Sequence, residues 1–166
     1  MRKLHAWIIF VIGAGVLVGL DLWLKIWAET HLQDNLPRVF IPGILGLTYF
    51  ENSGAAFGFL GGFGWAQQVL SIVKIVILLG LLWYYNRLPM EKKYWFTRVP
   101  LILIFAGGGG NLIDRISFGF VRDMLEFLFM NFAIFNLADV FVVVGVFSFL
   151  IFELFIVKDF TDSPEK

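Results

Sequence analysis

No cysteine occurs in the chain, which excludes disulfides, thiolate metal sites and a cysteine nucleophile in one observation. Histidine is nearly absent. The two that exist, His5 and His31, stand at opposite ends of the first apolar run, so neither a histidine-ligated metal nor a serine with a histidine base has its residues in place. There is no charge excess of either sign, with 13 Lys and Arg against 13 Asp and Glu. No basic stripe is interleaved with aromatics, so a nucleic-acid partner is not expected. Internal repeats and low-complexity segments are also lacking.

What is abundant is apolar surface. Hydrophobic residues make up 59% of the 166, with 20 Phe, where soluble domains carry about 45–50%. Mean hydropathy is +0.82. A soluble fold of this length could not bury that much, whereas a lipid solvent removes the difficulty. A bilayer core of ~30 Å is crossed by about twenty apolar residues of helix. Four stretches qualify, close to Ala6–Ile26, Gln67–Tyr84, Val99–Ile116 and Phe135–Val157, with Pro100 at the start of the third, where a missing N–H costs little. The first resembles a signal peptide in its basic start, but it is longer than such an apolar core and no A-x-A site follows, so it reads as a retained spanning helix.

Orientation follows from Lys and Arg in the short flanks. Arg2 and Lys3, then Arg87, Lys92, Lys93 and Arg98, then Lys158 and Lys166 put both termini and the middle loop on the cytoplasmic side. The long first loop, 27–66, carries only Arg38 against Glu29, Asp34 and Glu51, so it faces outward. Within it, Val39–Phe50 is rich in β-branched and aromatic residues around a Pro42–Gly43 turn, and predicts a short hairpin at the membrane surface. The Gly-broken apolar piece Gly54–Trp65 is expected to be an interfacial helix or loop, which leaves Asn52 near the outer face.

Against this background one stretch stands apart, GGGGNLIDRISFGFVRDMLEFLFMNFAIFNLAD, residues 107–139. It holds Asp114, Asp123, Glu126 and Asp139, with Arg115, Arg122, Asn111 and Asn136. Ionisable groups at a membrane boundary are costly, and by default they mark function. Simpler explanations exist for the parts. Asp21 and Lys25, at i and i+4, make an intrahelical ion pair with the lysine stem snorkelling outward. Asn111, Asp114 and Arg115 form a helix-end polar cluster. Asn136 with Asp139 three residues on is like a capping box. Lys74 and Glu153, inside the second and fourth runs, have no evident role, and Glu153 lies about 21 Å along a helix from Asp139.

Asp123 and Asp139 together are harder to dismiss. One follows the third helix and the other enters the fourth, so both lie near the outer surface. Two carboxylates in a low-dielectric niche cannot both ionise, and one keeps its proton. The pair then supplies a general acid and a general base for activating water against an amide. A small proton-coupled transporter would also retain intramembrane Asp, Asn and Arg, but it needs them along a path to the midplane rather than at one face. A membrane scaffold would tolerate loss of both aspartates.

GGNLIDR, VRDMLEF and FNLAD, with Asp21…Lys25 and ENSGAAFG, resemble in order and spacing the lipoprotein signal peptidase (signal peptidase II) family. The resemblance covers most of the chain. It implies an all-α membrane protein, a four-transmembrane-helix bundle with both termini cytoplasmic, a small β-cradle and an interfacial helix in the outer loop, all one peptidase domain over 1–166. It implies a bacterial inner-membrane aspartic endopeptidase that removes signal peptides from diacylglyceryl-modified prolipoproteins, with its active site at the outer, periplasmic face. Asp123 and Asp139 are then the catalytic dyad. Asn52, Gly54, Gly110, Asn111, Arg115, Asn136 and Ala138 shape the site or hold substrate, and Asp21, Lys25 and Asp114 support it. No metal or other cofactor is implied, membrane lipids and globomycin-type inhibitors are the further partners, and Glu126 has no part. Met124 departs from the aromatic that often follows the first aspartate.

Overall fold

Four helices carry the apolar runs, and they sort their residues in the opposite sense to a soluble protein. A computed structural model describes residues 3–33, 37–54 and 66–157. In it α1 spans Lys3–His31, α2 Ala66–Arg87, α3 Trp95–Phe118 and α4 Leu137–Ile151, the last running on as a π-helical turn, Phe152–Val157. All four are long and apolar enough to cross a membrane. Val11, Val16, Val76, Leu79, Ile116 and Phe147 point outward, while Asp21, Lys25, Thr97, Arg98 and Asp114 are sealed inside. Hydrocarbon makes both choices favourable, because outward apolar side chains cost nothing in lipid and polar groups must find partners within the protein. The chain is a multi-pass membrane protein.

The helices differ from the apolar runs at their ends. α1, α2 and α3 extend past them because polar residues outside the hydrocarbon still continue a helix. α4 starts later, at Leu137, because Asn136 caps it with extended backbone. Pro100 lies inside α3, which begins at Trp95, rather than at its start. The ring leaves the carbonyl of Phe96 without its intrahelical donor.

Close helix contact explains part of the glycine run. A Cβ on Gly107 would overlap the carbonyl oxygen of Ala138 and approach Val142 Cγ2 to 2.8 Å, so only glycine lets α3 and α4 meet there. Backbone cannot give way as a side chain can. Gly107→Ala is therefore expected to destabilise the bundle by about 1–3 kcal/mol, as overpacking does, visible as a lowered unfolding midpoint in detergent. An unchanged midpoint would mean that the helices are not in this contact.

At the end of the bundle where α2 leads into α3 the core is Phe10, Ala14, Tyr85, Leu88, Leu101, Ile102 and Ala106, with Tyr85 Oη donating to Ala6 O at 2.7 Å. Arg98 caps the end of α2: its guanidinium donates to Tyr85 O at 3.1 Å, Leu88 O at 2.8 Å and Pro89 O at 3.0 Å. Glu153 accepts from Thr97 Oγ1 at 3.2 Å and Tyr84 Oη at 3.4 Å, which ties α4 to α3 and α2 and gives this intramembrane carboxylate its partners.

A three-stranded antiparallel sheet covers the other end. The expected hairpin is β1, Arg38–Ile41, and β2, Leu45–Asn52, joined through Gly43 with φ of +70°. VRDMLEF forms β3, Val121–Phe127, paired with β2 so that Asn52 faces Val121 and Phe50 faces Asp123. Gly119, with φ of +80° and its N–H on Arg115 O, ends α3 and swings the chain into β3. Met124 is buried with Ala28, Leu32 and Tyr49, so its place after Asp123 is a packing one. The expected interfacial helix falls almost wholly in 55–65, outside the described residues.

Candidate active site

Asn136 stands where β3, α3 and α4 converge. On its N-terminal side Phe135 pairs with Leu125, N–H to carbonyl at 2.9 Å and back at 2.8 Å, which holds residue 136 beside β3. On its C-terminal side it caps α4: Oδ1 accepts from Asp139 N at 2.9 Å, and Asp139 Oδ2 accepts from Asn136 N at 3.1 Å. The capping box read from the sequence is real. The same side chain also reaches across, its amide donating to Asp123 Oδ1 at 2.6 Å and Asn111 Oδ1 at 2.9 Å. One residue therefore touches both carboxylates.

Asp123 is 1% exposed, with Asn52 Nδ2 donating to its other oxygen at 2.9 Å. Burial pushes its carboxyl up to about 7, and the charge of Asp139 acts the same way. The donated bonds from Asn52 and Asn136 and the charge of Lys25 only partly offset this. Asp139 is half-buried and accepts from Asn111 Nδ2 at 2.8 Å as well as from the α4 N-terminus, an arrangement that suits a negative charge. Both acids line one cleft of about 540 Å³, with Asn52, Gly54, Lys74, Asn111 and Arg115 among the polar wall and Phe127, Phe132, Phe135, Val140 and Val143 among the apolar one.

Behind this wall lies a sealed ionic cluster. Lys25 Nζ is 2.8 Å from Asp21 Oδ2, 3.3 Å from Asp114 Oδ2 and 2.9 Å from Asn111 Oδ1. The ion pair within α1 is present, but Lys25 does not snorkel outward. It is fully buried and orients Asn111, leaving that amide to face Asp139. Asp21 also accepts from Ala138 N at 2.9 Å, and a Cβ on Gly110 would come within 2.5 Å of Asp21 Oδ2. Asp114 faces away from the cleft, accepting from Arg122 N at 3.0 Å and Arg122 Nη2 at 2.8 Å. Arg115 Nη2 donates to Gly54 O at 3.0 Å, and Gly54 N donates to Asn52 Oδ1 at 3.1 Å, so the end of β2 is tied to α3.

Asp21, Lys25, Asn52, Gly54, Gly110, Asn111, Asp114, Arg115, Asp123, Asn136, Ala138 and Asp139 thus converge on the cleft or on the cluster behind it, whereas Glu153 lies at the other end of the bundle. Sequence reasoning missed Arg122, which is 4% exposed and links Asp114 to Glu29 on α1 at 2.8 Å. Glu29 lies 93 residues away along the chain, a separation that no local pattern reveals. It also missed the three phenylalanines of the cleft wall, which resemble any other Phe in so apolar a chain.

The family model described as signal peptidase (SPase) II matches residues 13–156. The lipoprotein signal peptidase of Streptococcus pneumoniae (strain ATCC BAA-255 / R6) is 41% identical over 136 residues, 82% of this chain and 86% of that protein. That of Streptococcus pyogenes serotype M2 (strain MGAS10270) is 40% identical over 143 residues, 86% of this chain and 91% of the relative. A solved structure described as a bacterial membrane enzyme superposes with a TM-score of 0.79 at 31% identity, covering 95% of this chain and 92% of that one. Four membrane helices, a sheet-covered cleft and this match over most of the length agree, and the chain belongs to the signal peptidase II family.

Proposed function

We propose that the chain is an aspartic endopeptidase of the bacterial cytoplasmic membrane that removes lipoprotein signal peptides, cutting just before the cysteine that carries diacylglycerol. The relatives' name, lipoprotein signal peptidase, supports the substrate class. The observation that carries the mechanism is Asn136, which holds Asp123 and Asp139 on the wall of one cleft. The whole of 1–166 acts as one integral-membrane unit. Lys and Arg in the flanks support termini in the cytoplasm and a cleft at the outer face.

Asp139, ionised, takes a proton from water as the water oxygen attacks the scissile carbonyl carbon. Asp123, protonated, passes its proton to the carbonyl oxygen as that oxygen gains charge, leaving a gem-diol intermediate. Collapse of the tetrahedral intermediate breaks the C–N bond, the proton held by Asp139 passes to the leaving amine, and Asp123 recovers its own. Burial of Asp123, which raises its carboxyl, favours it as the member that carries the proton. Asn52, Asn111 and Asn136 fix the carboxyl groups, and the phenylalanine and valine wall receives acyl chains and signal helix, so positioning supplies much of the rate. Carboxylates and water suffice for this chemistry, and globomycin-type inhibitors would occupy the same cleft.

Incubation of the reconstituted protein with a diacylglyceryl-modified precursor and its unmodified form tests the reading. Cleavage only of the modified form, with a new N-terminus at the cysteine, is expected. No cleavage of either, by protein shown to be folded, would refute it. The pH profile tests the assignment of the acid. Asp123 must hold its proton in the free enzyme, so kcat/KM should fall about tenfold per pH unit above about 7. A rate that keeps rising between pH 7 and 9 would contradict it.

A further inference from the structure

Lys74 is a cation of the cleft that the polar network leaves over. Among the described residues it forms no hydrogen bond and no ion pair, although it lines the cleft with Asp123 and Asp139. The other cleft cation, Arg115, is engaged with Gly54 O. Register gives its depth. Leu78 on α2 meets Gly108 on α3, where an added Cβ would come within 2.9 Å of Leu78 Cδ2. Lys74 lies one turn before Leu78 and Asn111 about one turn after Gly108, and the two helices run in opposite directions. Lys74 therefore stands level with Asn111, which bonds Asp139, and both line the cleft.

A substrate brings a particular need to that place. A signal helix ends at the cleft, and the last four carbonyls of any helix lack intrahelical donors. That end carries partial negative charge. In an apolar cleft no bulk water satisfies it, and each orphan carbonyl is costly. The same protein meets this need within itself, where Arg98 donates to Tyr85 O in the last turn of α2 and to Leu88 O and Pro89 O just past its end. We infer that Lys74 is a positioning residue whose ammonium donates to the backbone carbonyls of the signal peptide just before the scissile bond, fixing that bond against the dyad. The inference rests on the peptidase reading above. It makes Lys74 a determinant of substrate binding rather than of chemistry, which also gives this intramembrane lysine a reason to be there.

The test uses the full-length protein in lipid with a diacylglyceryl-modified precursor. Lys74→Met keeps the apolar stem and removes the donor, while Lys74→Arg keeps a donor. KM for Lys74→Met is expected to rise about tenfold to a hundredfold, the worth of a hydrogen bond from a charged group, with kcat changed severalfold at most. Lys74→Arg should recover most of the loss, and the unfolding midpoint of neither should drop. A KM within twofold of wild type for Lys74→Met would overturn the inference, as would an equal loss in Lys74→Arg. A precursor with ether-linked alkyl chains separates the two sources of carbonyl. If the penalty for Lys74→Met persists, the peptide is being read. If it disappears, the ammonium reads the lipid esters and the inference fails. Wild-type cleavage of the modified precursor stands or falls separately, so failure of this inference is distinguishable from failure of the peptidase reading.

Discussion

Asp123→Asn and Asp139→Asn should each cleave a lipidated precursor at about a thousandth of the wild-type rate or less, while still inserting and folding. General acid or base catalysis contributes about a hundredfold to ten-thousandfold, and here each variant removes one member of a pair that acts as a unit. Folding should survive because asparagine is nearly isosteric. At 123 its carbonyl can still accept from Asn136, which lies 2.6 Å from the present carboxylate. At 139 it can still accept from the backbone N–H of Asn136, although the bond from Asn111 Nδ2 needs a rotated amide. The Asp123 variant has a second signature. Its carboxyl is raised from 3.8 to about 7, so the folded state holds the proton more tightly than the unfolded chain. That contribution to stability is complete below pH 3.8 and is lost as pH rises to about 7. Asp123→Asn removes the slope, so the variant should gain on wild type in unfolding midpoint between pH 4 and 7. Turnover near the wild-type rate in either variant would remove the dyad from the account.

Lys25→Met should be the most damaging single change to the scaffold. The methionine fills similar space but strands fully buried Asp21 without a cation and leaves buried Asp114 with Arg122 alone. Breaking a buried pair by removing one partner costs about 3–5 kcal/mol, a large share of the stability of a domain this size. Activity should fall further than stability explains, because Asn111 loses the bond that aims its amide at Asp139. Asp21→Asn combined with Lys25→Met should recover part of the loss, since one stranded charge is then gone, and the recovery reads out as coupling in a double-mutant cycle. A single variant that melts and cleaves like wild type would show that the cluster does not hold the site.

The four helices and the polar residues were legible because lipid makes each stand out: a run of apolar residues is a span, and an Asp within one needs a reason. Asp21, Lys25, Asn111, Asp114 and Asn136 all proved to be joined in one network. What was not legible depended on distant pairing. VRDMLEF lacks the alternation to declare itself a strand, and it becomes one because β2 and Phe135 flank it. Lys25 was expected to snorkel, because an i,i+4 pair on an isolated helix gives no hint that Asn111 and Asp114 enclose it. Lys74 and Glu153 looked alike in sequence. Glu153 turned out to be satisfied by Thr97 and Tyr84, whereas Lys74 faces the cleft.

The central claim is that two carboxylates activate water directly against the peptide bond. A single turnover in heavy-oxygen water, quenched during the reaction and read by mass spectrometry, tests it most directly. The account predicts a released signal peptide that carries heavy oxygen at its new carboxyl end, with the mass of the protein unchanged throughout. A peptide covalently attached to the protein, or heavy oxygen in the side chain of Asp123 or Asp139, would contradict it.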